Sequence, residues 1–173
     1  YAEELKAEGG VISGEQFVDE CQVESDLELL LPATYVTGSS ERMLLYRELD
    51  SLTLDKDVEA FRNRLIDRFG PVPSETEELL RIVPLRRLAA RLGAEKVFLK
   101  GGRMSLFFIS NPESPYYQSQ AFGKVIAYMM KYTRRCDLRE QNTRRSMLVK
   151  DVKNVETAVG VLQEIVAMQV EEG

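Results

Sequence analysis

The sequence contains no histidine and only two cysteines among its 173 residues. Histidine is the commonest general base in enzymes and a frequent metal ligand, so its absence excludes a Ser–His–Asp triad and removes the usual proton carrier. Cys21 and Cys136 are far apart in the chain, and no histidine can complete a zinc site with them. We expect both to be buried, reduced thiols.

Motifs for phosphate binding, nucleophilic catalysis and membrane insertion are also missing. No glycine-rich loop ends in Lys-Ser or Lys-Thr, and no Gly-x-Ser-x-Gly sequence is present. No apolar run approaches the ~20 residues of a membrane span. The first ten residues, YAEELKAEGG, lack the basic and apolar regions of a signal peptide. We therefore predict a cytoplasmic chain that is not an enzyme on its own and that holds no cofactor or metal.

Charge is distributed unevenly along the chain, although the net charge is only −5. Residues 1–60 carry 15 acidic and 4 basic side chains, whereas residues 61–153 carry 9 acidic and 19 basic ones. Two interpretations stay open: solvated helix faces, or a basic central segment that meets an acidic partner or phosphate. No aromatic residues are interleaved with the arginines, and their absence argues against binding of phosphate groups by this segment.

The first part of the chain predicts a strand followed by two helices. Apolar and polar residues alternate over 21–31, which is typical of a half-buried strand. Ser39 or Ser40 would be the N-cap of a helix over 40–52. A second helix begins near Asp55, and its apolar stripe has helical spacing. That stripe consists of Leu54, Val58, Phe61, Leu65 and Phe69.

The stretch RLIDRFGPVPSETEELL (64–80) joins the second helix to a third. Gly70 can adopt the positive φ that closes a helix, and Pro71 cannot continue one. Ser74 and Glu77 have the spacing of a capping box for the next helix. The helix dipole stabilises the negative charge of the glutamates in this first turn, so we do not assign them to acid–base catalysis. The stretch therefore predicts a rigid helix–turn–helix corner.

The rest of the chain predicts a third helix that Pro84 kinks or splits, a hairpin that turns at Gly101-Gly102, a fourth helix, a second hairpin and a last helix that Asn154 caps. This order predicts an α+β fold. We expect a small antiparallel sheet of two hairpins, to which segment 21–31 could add an N-terminal strand, packed with five or six helices. The domain would span residues 20–173.

Several segments together resemble one family. The sequence LIDRFGPVP is preceded by LLYRELDSL and followed by PLRRLAARLG, and ELLLP lies at 28–32 and SERMLLYREL at 40–49. With the Gly-Gly hairpin and the final helix, these segments resemble the C-terminal domain of bacterial transcription-repair coupling factors over about residues 20–170. Residues 1–19 resemble the end of the translocase region that precedes this domain.

The resemblance implies a function for the longer protein and for this domain. The longer protein would be an ATP-driven double-stranded DNA translocase, with its ATP and magnesium sites upstream of this chain. It would displace stalled RNA polymerase and recruit the excision-repair protein UvrA. The C-terminal domain would be regulatory, because it docks on the protein's own UvrB-like N-terminal domain and covers the surface that UvrA needs.

The resemblance also suggests which residues dock. In the family, the polar face of the helix ending in Leu-Ile-Asp-Arg-Phe-Gly contributes acidic groups, and the matching residue here is Asp67. A position that is acidic in some relatives is Arg64 here. Asp67 would therefore act alone, or the interface charges have been exchanged. With Asn63 and Arg68, these residues form the predicted interdomain interface.

An alternative function uses the basic segment 61–153 to bind nucleic acid directly. A phosphate-binding surface loses affinity steeply as salt rises, which separates it from a protein-docking surface. From the sequence we expect little or no DNA binding by the isolated chain. The third class, an enzyme with an unrecognised site, predicts a deep pocket lined by carboxylates with perturbed pKa values.

Overall fold

The computed structural model describes residue 18 and residues 21–169, and within them it contains five α-helices and one five-stranded sheet. The predicted α+β fold is confirmed. The predicted translocase remnant at 1–19 lies outside the described residues except for Val18, and the division into domains stays a prediction.

The helices and strands follow the predicted order. The strands are β1 Gln22–Ser25, β2 Ala94–Lys100, β3 Arg103–Phe108, β4 Cys136–Gln141 and β5 Arg144–Val149. The helices are α1 Ser39–Ser51, α2 Asp55–Phe69, α3 Ser74–Arg91, α4 Gln120–Lys131 and α5 Val155–Ala167. A short 3-10 helix, Pro115–Gln118, precedes α4.

The sheet has the order β1-β2-β3-β5-β4. Both predicted hairpins are present and antiparallel, but β1 pairs in parallel with β2, so the sheet is mixed. β1 is also shorter than the predicted 21–31. It ends because the Ser25 hydroxyl accepts a hydrogen bond from the Leu27 N–H at 3.0 Å, which turns the chain away.

Two hydrophobic cores fill the molecule, and α3 contributes to both. The first lies between the inner face of the sheet and the second half of α3, α4 and α5. The second lies among α1, α2 and the first half of α3, around the buried side chains of Leu45, Phe61 and Leu65. Because one continuous helix supplies both cores, the helical part and the sheet part are held together.

Two predictions about helix caps are wrong, and of the two alternatives at Pro84 the split does not occur. The N-cap of α1 is Gly38, and neither Ser39 nor Ser40 caps it. The N-cap of α3 is Pro73, so Ser74 is already helical and forms no capping box. Glu77 instead pairs with an arginine of α2, and such a charge-assisted pair outweighs a cap. Pro84 does not split α3, which runs unbroken through it.

None of the helices that the structure describes is both long and apolar enough to cross a membrane.

Candidate functional site

The corner between α2 and α3 is held by bonds from three sides. Gly70 has φ +92°, and its carbonyl accepts a hydrogen bond from the Tyr35 hydroxyl at 2.8 Å. Arg62 donates two hydrogen bonds to the Glu77 carboxylate, at 2.8 and 2.9 Å. The buried Thr76 hydroxyl donates to a backbone carbonyl before α1, that of Leu30, at 2.9 Å. The corner therefore presents the outer side of α2 at a fixed angle.

All four predicted interface residues lie on that outer side. Asn63, Arg64, Asp67 and Arg68 are exposed, whereas the intervening Leu65 is buried. Exposure makes them accessible to a partner, and their role in an interface stays a prediction. We call this surface the α2 face.

The two arginines of the α2 face are already engaged within the chain. Arg64 pairs with Glu48 and Arg68 pairs with Glu41, both from α1. Each guanidinium also lies over a phenylalanine of its own helix, 5.4 Å and 4.9 Å from the ring centres. The local positive charge is therefore largely neutralised.

Asp67 differs from the arginines around it. Among the residues that the structure describes, the side chains of Asp67 and Asn63 have no hydrogen-bond or ion-pair partner. Arg64 stands where some relatives have an acidic residue. It does not repel a basic partner as a free cation would, because Glu48 balances its charge. The sequence analysis did not identify Glu41 and Glu48 as partners of these arginines. Their spacing of seven residues, two helical turns, places both on one face of α1.

The uneven charge of the sequence is partly balanced inside the fold. Five ion pairs among the described residues join the acidic first segment to the basic central one. These pairs are Glu24–Lys96, Glu41–Arg68, Glu48–Arg64, Asp50–Arg86 and Asp55–Arg87. The basic segment as a whole is therefore not one free phosphate-binding surface.

The Arg62–Glu77 pair makes stability depend on pH. The hydrogen bonds from Arg62 hold the pKa of Glu77 below its ordinary value of 4.5, and nearby Arg81 adds to the effect. A carboxyl group whose pKa is lowered by folding stabilises the protein above its unfolded pKa, and this contribution disappears as the pH falls through the folded pKa.

We therefore expect Glu77→Gln to lower the urea midpoint at pH 7 and to have a smaller effect as the pH falls below 4.5 toward the lowered pKa of folded Glu77. Equilibrium unfolding at pH 7 and at the lowest pH at which the wild type still folds measures the difference. Glu75→Gln, in the same helix turn but with only a 3.2 Å contact to Ser74, is the matched control. A constant difference between wild type and Glu77→Gln at both pH values would contradict the prediction.

The described residues offer little for catalysis. No group of three or more His, Cys, Asp or Glu side chains able to hold a metal ion occurs among them. Both cysteines are free and buried there, and burial raises the pKa of the Cys21 thiol to about 12 and raises that of Cys136. Neither thiol is thus available as a thiolate nucleophile at neutral pH.

A second surface lies on the outer face of the sheet, opposite the first core. Strand residues that alternate with the buried ones leave Phe98, Phe107 and Arg144 only half-buried there. The sequence has no aromatic residues interleaved with the arginines, but neighbouring strands bring aromatic and basic side chains together on this surface. The signal was the Gly101-Gly102 turn, which fixes the register of the hairpin.

Comparison with known proteins agrees with this fold. The family model of the TRCF domain matches residues 25–119. A transcription-repair-coupling factor of Rickettsia bellii is 30% identical over 132 residues, which are 76% of this chain and 11% of that protein. That of Staphylococcus haemolyticus is 25% identical over 138 residues, 76% of this chain and 12% of that protein. The chain thus spans about a tenth of the length of these curated relatives.

A solved structure described as the C-terminal domain of transcription-repair coupling factor has the same fold. It superposes with a TM-score of 0.65 at 17% identity, covering 85% of this chain and 93% of that one. At this identity the match concerns the fold alone, whereas the family model spans more than half of the sequence. The predicted resemblance is confirmed, and the chain belongs to the TRCF domain family.

Proposed function

We propose that this chain is the regulatory domain of a transcription-repair coupling factor and that it docks, through the α2 face, on the UvrB-like N-terminal domain of the same protein. Docking would mask the surface to which UvrA binds. The observation that carries the proposal is the unpaired Asp67 carboxylate on a rigid, exposed helix face, in a chain that belongs to the TRCF domain family.

The longer protein would supply the chemistry. We propose that it is an ATP-driven DNA translocase of the cytoplasm that displaces stalled RNA polymerase, with ATP and magnesium bound outside this chain. This chain would perform no reaction, and it would act on UvrA recruitment only by covering or releasing a surface. Its contact with DNA in that role would be indirect, through other domains.

The α2 face has the properties of a reversible contact. Asp67 offers one free negative charge, and Ile66 on α2 and Leu44 on α1 are exposed apolar side chains. An arginine of the UvrB-like domain would complete a charge-assisted hydrogen bond with Asp67. The fixed corner lowers the ordering cost of docking, because no helix has to move first.

The expected size of such a contact is compatible with reversible docking. Interfaces between domains of one chain commonly bury roughly 600–1,500 Å² and are fairly polar. A partner that prefers the open state by a few kcal/mol can therefore displace the docked domain. UvrA would be that partner, because it needs the surface that docking hides.

We expect Asp67→Ala and Asp67→Arg, made in the full coupling factor, to increase UvrA affinity by about tenfold or more. One charge-assisted hydrogen bond contributes about 1.5–3 kcal/mol, and about 1.4 kcal/mol is a factor of ten. Quantitative pull-down or biolayer interferometry with UvrA measures the change. The arginine variant should have the larger effect, because it adds repulsion to the loss of the hydrogen bond.

Glu113→Arg is the matched control, because Glu113 is also exposed and makes no ion pair with a described residue, but lies in the loop before the 3-10 helix. It should leave UvrA affinity unchanged. Titration of this chain with the separate UvrB-like domain should show weaker binding for both Asp67 variants. Equal UvrA affinity for wild type and Asp67→Arg would remove Asp67 from the interface.

A further inference from the structure

The outer face of the sheet combines aromatic rings with cations. Phe98 on β2 and Phe107 on β3 lie edge-to-face with ring centres 5.3 Å apart, in the middle of the sheet. The Lys96 and Lys100 amines lie 5.2 and 5.0 Å from the Phe98 ring centre, and the Arg144 guanidinium lies 5.7 Å from that of Phe107. We call this surface the open sheet face.

Two depressions cross the open sheet face and share one wall. One, of about 470 Å³, lies toward β1 and is lined by Gln22, Lys96 and Phe98. The other, of about 330 Å³, lies toward β4. Phe107 and Arg144 line both. Together the depressions form a track that runs across the strands, and each has the volume of a small ligand pocket.

Arg144 in that shared wall has an unused donor. One of its terminal nitrogens pairs with Glu95 at 3.1 Å, but its buried Nε has no hydrogen-bond partner among the described residues. Because that Nε is inaccessible, a bound base carbonyl or phosphate oxygen would be met by the terminal nitrogens of Arg144, whose side chain is 37% exposed.

The charge of the open sheet face is positive. Three of its cations, Lys96, Arg139 and Arg144, are balanced by acidic neighbours. Lys100 and Arg103, which face each other beside the Gly101 turn, form no ion pair with any residue in the described part of the chain. The Asp26 carboxylate, which accepts a hydrogen bond from the Gly101 N–H at 3.0 Å, leaves an excess of one positive charge at this end of the aromatic track, where a phosphate backbone would be attracted.

We propose that the open sheet face binds single-stranded nucleic acid, with bases stacked on Phe98 and Phe107 and the phosphate backbone along Lys100 and Arg103. A sheet with helices on one side and exposed aromatic rings on the other suits unstacked bases, and stacking tolerates any base. A duplex hides those base faces and is not expected to bind there. This site is separate from the α2 face and does not depend on docking.

The test is fluorescence anisotropy of this chain with labelled 12-nucleotide oligo(dT) and oligo(rU) at 50 mM and 200 mM salt. Phe98→Leu and Phe107→Leu keep an apolar side chain on the sheet but lose the stacking surface. Each should weaken binding about tenfold, since one stacked base contributes about 1–3 kcal/mol and about 1.4 kcal/mol is tenfold. Circular dichroism verifies that each variant is folded.

Charge-reversal variants test the backbone contacts. Lys100→Glu with Arg103→Glu should weaken binding further and reduce the slope of log affinity against log salt by about 0.7 for each phosphate that the protein no longer neutralises. Arg91→Glu is the matched control, because Arg91 is exposed at the end of α3, on the helical side of the sheet. It should change affinity less than twofold.

The proposal would be overturned by the absence of binding by 100 µM protein at 50 mM salt, by equal affinity for a 12-base-pair duplex, or by unchanged affinity in both Phe→Leu variants. Tighter binding of an acidic peptide than of the oligonucleotides would also overturn it, because the occupant would then be a protein. Asp67→Arg should leave oligonucleotide binding unchanged, so failure of this proposal and failure of the docking proposal give different results.

Discussion

Replacing Gly93 with alanine is expected to lower the free energy of unfolding by about 2–5 kcal/mol. Gly93 follows α3 with φ +84°, a conformation that costs an L-residue about 1–2 kcal/mol. An added Cβ would also lie 2.1 Å from a ring carbon of Tyr116. Overpacking of this kind costs about 1–3 kcal/mol more.

Tyr116 cannot move aside easily to accept that methyl group. Its side chain is fully buried, its hydroxyl donates a hydrogen bond to the Leu92 carbonyl, and its ring packs against Phe108 and Phe122. Any shift of the ring would therefore disturb the first hydrophobic core. Chemical denaturation with two independent probes measures the loss of stability.

Two glycine variants separate the steric effect from the backbone effect. Gly101 also has a positive φ, +62°, but nothing lies within 4 Å of the position that an added methyl group would take, so Gly101→Ala should cost only about 1–2 kcal/mol. Gly160 is helical with open space around it, and Gly160→Ala should stabilise the protein by about 0.5–1 kcal/mol. If Gly93→Ala were no worse than Gly101→Ala, the Tyr116 ring would have to be free to move.

Glu78→Ala is expected to have the second-largest effect, a loss of about 3 kcal/mol. The Glu78 carboxylate in α3 accepts hydrogen bonds from the Val155 and Glu156 N–H groups at 2.6 and 3.1 Å. The Asn154 side chain accepts from Thr157 N–H at 2.7 Å, so the first three amides of α5 all have acceptors. A negative charge at this end also favours the helix dipole.

Removal of the carboxylate leaves the amide of the buried Val155 without an acceptor, which is the costly part of the change. Glu78→Gln keeps an oxygen acceptor and should lose about half as much. Asn154→Ala should cost about 1 kcal/mol. Because both caps act on one helix turn, we expect the double variant to deviate from additivity. Thermal and urea unfolding provide the measurements, and an additive cycle would contradict the shared-cap interpretation.

Local signals in the sequence were sufficient to predict the order of the helices and strands. The apolar stripe of α2 and the Gly101-Gly102 turn both depend only on residues close together in the sequence. Asn154 caps α5 as predicted. Cap choice was less predictable, because Gly38 and Pro73 took positions for which nearby serines competed. A propensity cannot decide which of two adjacent residues takes the cap, because helix boundaries vary by one or two residues.

Long-range partners were beyond local signals. The sequence predicted an exposed polar face on α2, but not that Glu48 would meet Arg64 or that Glu78 would cap a helix 77 residues later. The parallel pairing of β1 with β2 was likewise unpredictable, since three helices separate the strands. The aromatic pair of the open sheet face needed the hairpin register, which the Gly101-Gly102 turn fixes as far as the pairing of Lys96 with Phe107, before the bulge between Ala94 and Lys96.

The parallel pairing of β1 with β2 has a consequence for synthesis on the ribosome. Gln22 pairs with Lys96, so the first strand leaves the exit tunnel more than 70 residues before its neighbour exists. At about 5–20 residues per second, this delay is on the order of ten seconds. The helical part has its own core within residues 31–83, so it can assemble during that interval. Newly made chains would thus contain a folded helical part and an unpaired β1 until the first hairpin emerges.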